Sequence, residues 1–264
     1  MELVQKLTIW ILAATLLSVT TAPATLGQGA PYDLKKFRSI LDDSKLQAHK
    51  SSPTLIDRGS FEGASNEYFF LDPTGQYMTF TVDGTSNRSE LRQLSGDWDT
   101  ASKTPQRLIA RVKVLVPPEG SPKRFTFLQI HDKKNGDDGL NKPLLRVASH
   151  KNREEKQDHL WAAIRTPKDF DKPITLKNLS GKHIDLGPRP NGFFDIEVRV
   201  QNSRMSVTLN GKTKVDMDVS YWDGLDNYFK AGVYNQTSGR STVEFESLRF
   251  SESDEDPASE SQNK

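Results

Sequence analysis

The chain repeatedly alternates apolar and polar residues with a period of two, and hardly anywhere with the period of a helix. YMTFTVDG (77–84), RLIARVKVLV (107–116), RFTFLQIH (124–131), FFDIEVRVQ (193–201), RMSVTLNGKTKVDMDV (204–219), YFKAGVYNQ (228–236) and STVEFESLRF (241–250) all carry this pattern or a continuous β-rich run. Successive side chains of a strand point to opposite faces, so such segments bury one face and wet the other as β-strands. Asn210-Gly211, between two alternating runs, predicts a two-residue hairpin. One segment, KKFRSILDDSKL (35–46), has helical periodicity, and DKKNGDDG (132–139) reads as loop. Many strands, little helix and no internal repeat predict an all-β fold: a curved two-sheet antiparallel β-sandwich (jelly roll). Curvature leaves one sheet with a concave groove able to cradle a linear polymer.

The rest of the composition sets the boundaries. MELVQKL, the apolar run LTIWILAATLLSV and the small residues TTAPATLGQGA follow the order of a secretory signal peptide, with Ala22-Pro23-Ala24 as its cleavage site. The expected organisation is a signal peptide at 1–24, an N-terminal extension at 25–57 with a short helix, one β domain at 58–250, and a disordered acidic tail at 251–264. That tail holds five acids against one lysine, so the mildly basic remainder suits a polyanionic partner. The sequence has no cysteine, which excludes disulfides and thiolate metal sites. The histidines show no metal-ligand spacing, so no metal or cofactor is expected. No later stretch is long and apolar enough to cross a bilayer. The mature protein is expected to be a secreted or periplasmic monomer without membrane or nucleic-acid partners.

Three short motifs break the pattern of an ordinary sheet. In RSELR, period two puts Arg88, Glu90 and Arg92 on one face, where they form either a surface charge ladder or a donor fork for a carboxylate. In RFTFLQIH, Gln129 and His131 extend the face of Phe125 and Phe127, unusual because buried polar groups are costly. His49, His150, His159 and His183 read as structural or solvent-exposed. In YFKAGVYNQ, Phe229, Ala231 and Val233 form an apolar stripe, while Tyr228, Lys230, Gly232, Tyr234 and Gln236 share the opposite face. Two phenols around a glycine look like the floor of a groove, although aromatic stripes also pack well in sheets.

Together and in this order, RSELR, QIH and YFKAGVYNQ resemble the signature blocks of alginate lyases of polysaccharide lyase family 7, over roughly residues 58–250. The resemblance implies a jelly roll that cleaves a uronic-acid polymer by β-elimination without a cofactor. It assigns Arg88 and Gln129 to neutralising the substrate carboxylate, His131 to the base and Tyr234 to the acid. Lys230, Gln236 and Tyr228 become substrate-binding neighbours, with Gly232 leaving room for the sugar. Arg92 and Glu90 hold Arg88, and Lys142 either adds a contact beyond the reactive sugar or stays solvated. In the family, isoleucine in the middle of the Q-x-H block accompanies acceptance of guluronate, so Ile130 implies guluronate-containing alginate. The expected partner is therefore an anionic polysaccharide: alginate, polyguluronate or polymannuronate. The alternatives are a non-catalytic carbohydrate-binding jelly roll, a lyase for another polyuronate such as glucuronan, and a glycoside hydrolase. A hydrolase needs two carboxylic acids, and these blocks supply one.

Overall fold

The computed structural model describes residues 29–115, 123–133 and 140–254. The expected signal peptide, most of the DKKNGDDG loop and residues 255–264 lie outside these. The strands are β1 (Ser44–His49), β2 (Phe69–Leu71), β3 (Met78–Asp83), β4 (Arg88–Gln93), β5 (Gln106–Leu115), β6 (Arg124–Asp132) and β7 (Pro143–Arg153). They continue with β8 (Lys156–Pro167), β9 (Leu179–Pro188), β10 (Phe194–Gln201), β11 (Arg204–Leu209), β12 (Lys212–Asp218), β13 (Asn227–Asn235) and β14 (Arg240–Ser251). They build two seven-stranded sheets in the orders β1-β4-β13-β6-β7-β8-β9 and β12-β11-β10-β5-β14-β3-β2. All named pairings are antiparallel, as in a jelly-roll sandwich. The three motifs fall on β4, β6 and β13, which neighbour one another in the first sheet. Asn210 and Gly211 both have positive φ, as the predicted hairpin requires.

The inner faces make one core. Phe127 of the first sheet meets Phe194 of the second edge-on at 6.2 Å, and Phe229 stacks on Phe250 at 5.7 Å. Phe80 bridges Phe69 and Phe245 at 5.2 and 5.6 Å. Each fully buried phenylalanine contributes roughly 1.5–3 kcal/mol, which lets the fold stand without disulfides.

Three expectations are corrected. The helix, α1 (Lys35–Asp42), stops earlier than the periodic run because Ser44, Lys45 and Leu46 already belong to β1. β1 pairs with β4 over its whole length, so the sandwich begins before residue 58 and takes in much of the expected extension. Phe125 and Phe127 do not share a face with Gln129 and His131. The pairing of β6 shifts between Thr126 and Leu128, placing both Phe127 and Leu128 in the core and reversing the alternation beyond them.

The termini of the folded unit follow from its contacts. Leu71 N–H donates to the Gly29 carbonyl, and Arg199 pairs with Asp254. A chain trimmed to residues 29–254 is expected to unfold as cooperatively as the full-length protein. One beginning at 58 lacks the edge strand and α1 and should lose the cooperative transition. Thermal unfolding of both checks this, and a lost transition in the longer chain would place the boundary further out.

Candidate active site

The outer faces of the two sheets treat their cations differently. On the second sheet Arg107 pairs with Glu197, Arg111 with Asp195 and Glu246, and Lys113 with Glu244. On the first sheet a cleft of about 450 Å³ is lined by Arg88, Arg92, Lys142, Arg146, Arg165 and Lys230 beside Gln129, His131, Tyr228 and Tyr234. Among the described residues, Glu90 is the one carboxylate paired with any of these cations. The cleft is therefore a ready-made site for an anion.

Cross-strand register assembles its centre. Arg88 lies opposite Tyr234, Glu90 opposite Gly232 and Arg92 opposite Lys230 on β4 and β13. On the other side of β13, Lys230 faces Gln129 and Tyr228 faces His131. Glu90 is fully buried. Its carboxylate accepts from Lys230 Nζ at 2.6 Å, from Arg88 Nη1 at 3.3 Å and from Gln129 Nε2. A buried carboxylate is tolerable only when so paired. Glu90 thus fixes three donors rather than contacting sugar, which narrows its expected role to positioning. Burial pulls the Lys230 ammonium down to about 8, even though Glu90 favours its charged form.

Aromatic rings hold both arginines of β4. The Arg88 guanidinium lies over the Tyr234 ring at 4.4 Å, and Arg92 over Tyr228 at 4.2 Å. Tyr228 is buried, stacks on His131 at 5.4 Å, and has its phenol pushed up to about 12 by burial. Its contacts are those of a support for His131 and Arg92.

His131 is half-buried, with Nδ1 2.7 Å from the Asp132 carbonyl. A carbonyl can only accept, so Nδ1 carries the proton and Nε2 keeps the lone pair. Burial, then the fields of Lys230, Arg88 and Arg92, lower the imidazole to about 3. An unperturbed imidazole titrates near 6.5; burial and enclosure among cations explain the difference. Asp132 is itself buried, its carboxyl raised to about 6 by burial, and it accepts the Asn141 N–H at 2.8 Å.

Gly232 also departs from expectation. Its φ is +138°, and a Cβ there would lie 2.2 Å from the Ser89 carbonyl oxygen. Glycine is needed for the approach of β13 to β4, rather than to leave space for a sugar. Gln236 lies outside the cleft, in an adjoining cavity. Arg146 and Arg165, absent from the three motifs, join the cleft from β7 and β8. Their signal was present as a lone arginine in each of the apolar runs PLLRVASH and LWAAIRTP.

The family model for alginate lyases matches residues 41–254. The chain belongs to the alginate lyases of polysaccharide lyase family 7. An alginate lyase of Photobacterium sp. is 30% identical over 249 residues, covering 84% of this chain and 87% of that protein. The solved alginate lyase AlyC3 superposes with a TM-score of 0.76 at 29% identity, covering 85% and 96% of the two chains. Its complex with dimannuronate gives 0.75 at 26% identity, covering 85% and 95%. This alginate lyase is therefore an enzyme, a polysaccharide lyase on a β-jelly roll, rather than a carbohydrate-binding module or a glycoside hydrolase.

Proposed function

We propose that Arg88 and Gln129 bind the carboxylate of the reacting uronate, His131 removes its C5 proton and Tyr234 protonates the departing C4 oxygen. The C5 proton is barely acidic while the neighbouring carboxylate keeps its full charge. Donors fixed in advance by Glu90 lower the cost of the developing dianion. Nε2 takes the proton, the C5–H electrons form the C4–C5 double bond, and the C4–O bond breaks toward the Tyr234 hydroxyl. The products are an unsaturated uronate at a new non-reducing end and a new reducing end. A low imidazole pKa keeps His131 unprotonated before substrate arrives. The incoming carboxylate offsets the fields of Lys230, Arg88 and Arg92, raising its basicity where the proton is taken. The observation that carries this reading is the convergence of His131, Tyr234, Arg88 and Gln129 on one cation-lined cleft. The leader-like N-terminus extends the proposal to a secreted or periplasmic enzyme.

The substrate is proposed to include guluronate blocks. In guluronate the C5 proton and C4 oxygen lie on opposite sides of the ring, which calls for separate base and acid such as His131 and Tyr234. In mannuronate they lie on the same side, and one residue such as Tyr234 can serve both. AlyC3 in complex with dimannuronate makes polymannuronate the competing substrate. Ile130 is fully buried in the core, so it can act only by shifting β6 and re-aiming His131. Initial rates on separated blocks are expected to favour polyguluronate, and Ile130→Val to move the ratio toward polymannuronate. A polymannuronate preference unchanged by that substitution would overturn both statements.

A further inference from the structure

β6 ends at Asp132, one residue beyond His131, and the chain re-enters the sheet at Pro143, opposite His131. Asp132 holds both sides of this opening. Its carbonyl accepts the His131 Nδ1–H at 2.7 Å, and its own N–H donates to the Lys142 carbonyl at 3.0 Å. Its fully buried side chain accepts the Asn141 N–H through Oδ2 at 2.8 Å. His131, Asn141, Lys142 and Pro143 all line the cleft. One residue therefore ties the imidazole to the facing wall of the site, through main chain and side chain at once.

This arrangement is kept at a cost. Burial raises the carboxyl to about 6; the N–H groups of Asn141 and Leu140 oppose that shift, and Asp226 adds to it. Oδ1 has no hydrogen-bond partner among the described residues. Asparagine has nearly the same shape and would bury no charge. What aspartate adds is a better acceptor, because hydrogen bonds to an ionised group are roughly twice as strong as neutral ones. A costly charge beside the reacting groups points to a positional requirement rather than to core packing.

We propose that Asp132 is a positioning residue for the elimination, its ionised carboxylate clamping the Asn141–Lys142 segment onto the end of β6 and so fixing His131 against the cleft wall. It touches no substrate and acts through His131. The assignment rests on the elimination reaction proposed above, in which the Nε2 lone pair must stay aimed at the C5 proton. Protonating the carboxyl weakens the clamp, so the rate should fall as pH drops through about 6. The ionisable groups around it are Asp226 and Tyr228 from β13 and the residue before it, His131 and Lys133 along its own chain, and Lys142 across the opening. In the free enzyme His131, at about 3, stays neutral over this range, and Tyr228, at about 12, stays protonated. Stability moves the other way. The folded carboxyl binds its proton more readily than an unfolded one, so stability is lost as pH rises from 3.8 to about 6, and Asp132→Asn should lack that loss.

The test is kcat/KM on alginate between about pH 5 and about pH 8, followed by the absorbance of the new double bond, for wild type, Asp132→Asn and Asp132→Ala. At the upper end Asp132→Ala should lose about tenfold to 10²-fold, mainly in kcat, from a misplaced base. Asp132→Asn, which keeps a neutral acceptor, should lose about threefold. Toward the acid end the wild type should converge on Asp132→Asn, the ratio of the two falling to about one as the carboxylate takes up its proton. A role in stability alone would leave that ratio independent of pH in folded protein. If Asp132→Ala does not fold, the ratio to Asp132→Asn decides by itself. A ratio independent of pH, or wild-type kcat/KM in folded Asp132→Ala, would overturn the clamp while leaving the elimination reading intact. Absence of the double bond with the wild type at every pH would instead overturn the elimination reading.

Discussion

Replacing His131 with alanine is expected to lower kcat on alginate by ~10²–10⁴-fold, the usual contribution of a general acid or base. Tyr234→Phe removes the hydroxyl alone and should cost a similar factor. The two losses should not add fully, because the proposed base and acid act in one elimination. Both proteins should keep a cooperative unfolding transition, which separates lost chemistry from lost structure. His131 also leaves a signature in stability. Its folded pKa of about 3 lies below the ordinary 6.5. Its contribution is therefore complete above about 6.5 and is lost as pH falls toward 3, where an unfolded imidazole binds the proton more readily. His131→Ala should flatten the pH dependence of stability within that window. Retention of most activity in either variant would remove that residue from the mechanism.

Glu90→Ala is expected to produce the largest combined loss of stability and rate. The carboxylate is fully buried and bonded to Lys230, Arg88 and Gln129. Its removal strands a lysine that is 2% exposed. Breaking one side of a buried ion pair costs about 3–5 kcal/mol. It also releases Arg88 and Gln129, the groups proposed to receive the substrate carboxylate, so kcat should fall even where the protein remains folded. Glu90→Gln keeps the shape but removes the negative field that favours charged Lys230, so its ammonium should titrate below about 8. Chemical denaturation gives the stability loss, and turnover at saturating alginate gives the catalytic one. Wild-type stability together with wild-type kcat in Glu90→Ala would show that the network does not hold the site.

The fold was legible where strands have one wet face and one dry face. β3, β5, β6, β10 to β12, β13 and β14 lie where alternation placed them. β7 and β8 were harder to read because the groove encloses their outer face. Trp161 and Ala148 there are as buried as Leu160 and Val147 beneath them, and the alternation disappears. That same enclosure hid Arg146 and Arg165. β1 merged with the helical run before it, since nothing in DDSKL marks the change of direction as strongly as glycine or proline would. The shift in β6 was invisible because Phe127 and Leu128 are both apolar, so the parity of Gln129 could not be counted from Phe125. The identity of the polar residues at the centre of the cleft was available from the three motifs. Their division of labour was not, because Glu90 and Gly232 take their roles from cross-strand neighbours distant in sequence.

Cleavage by elimination creates one conjugated double bond for every glycosidic bond broken. The direct measurement is to incubate the purified protein with alginate and follow ultraviolet absorbance and new reducing ends together. Both should rise in a one-to-one ratio in the wild type, and both should be nearly abolished in His131→Ala. Reducing ends appearing without the absorbance would mean hydrolysis, and would contradict the mechanism at its first step.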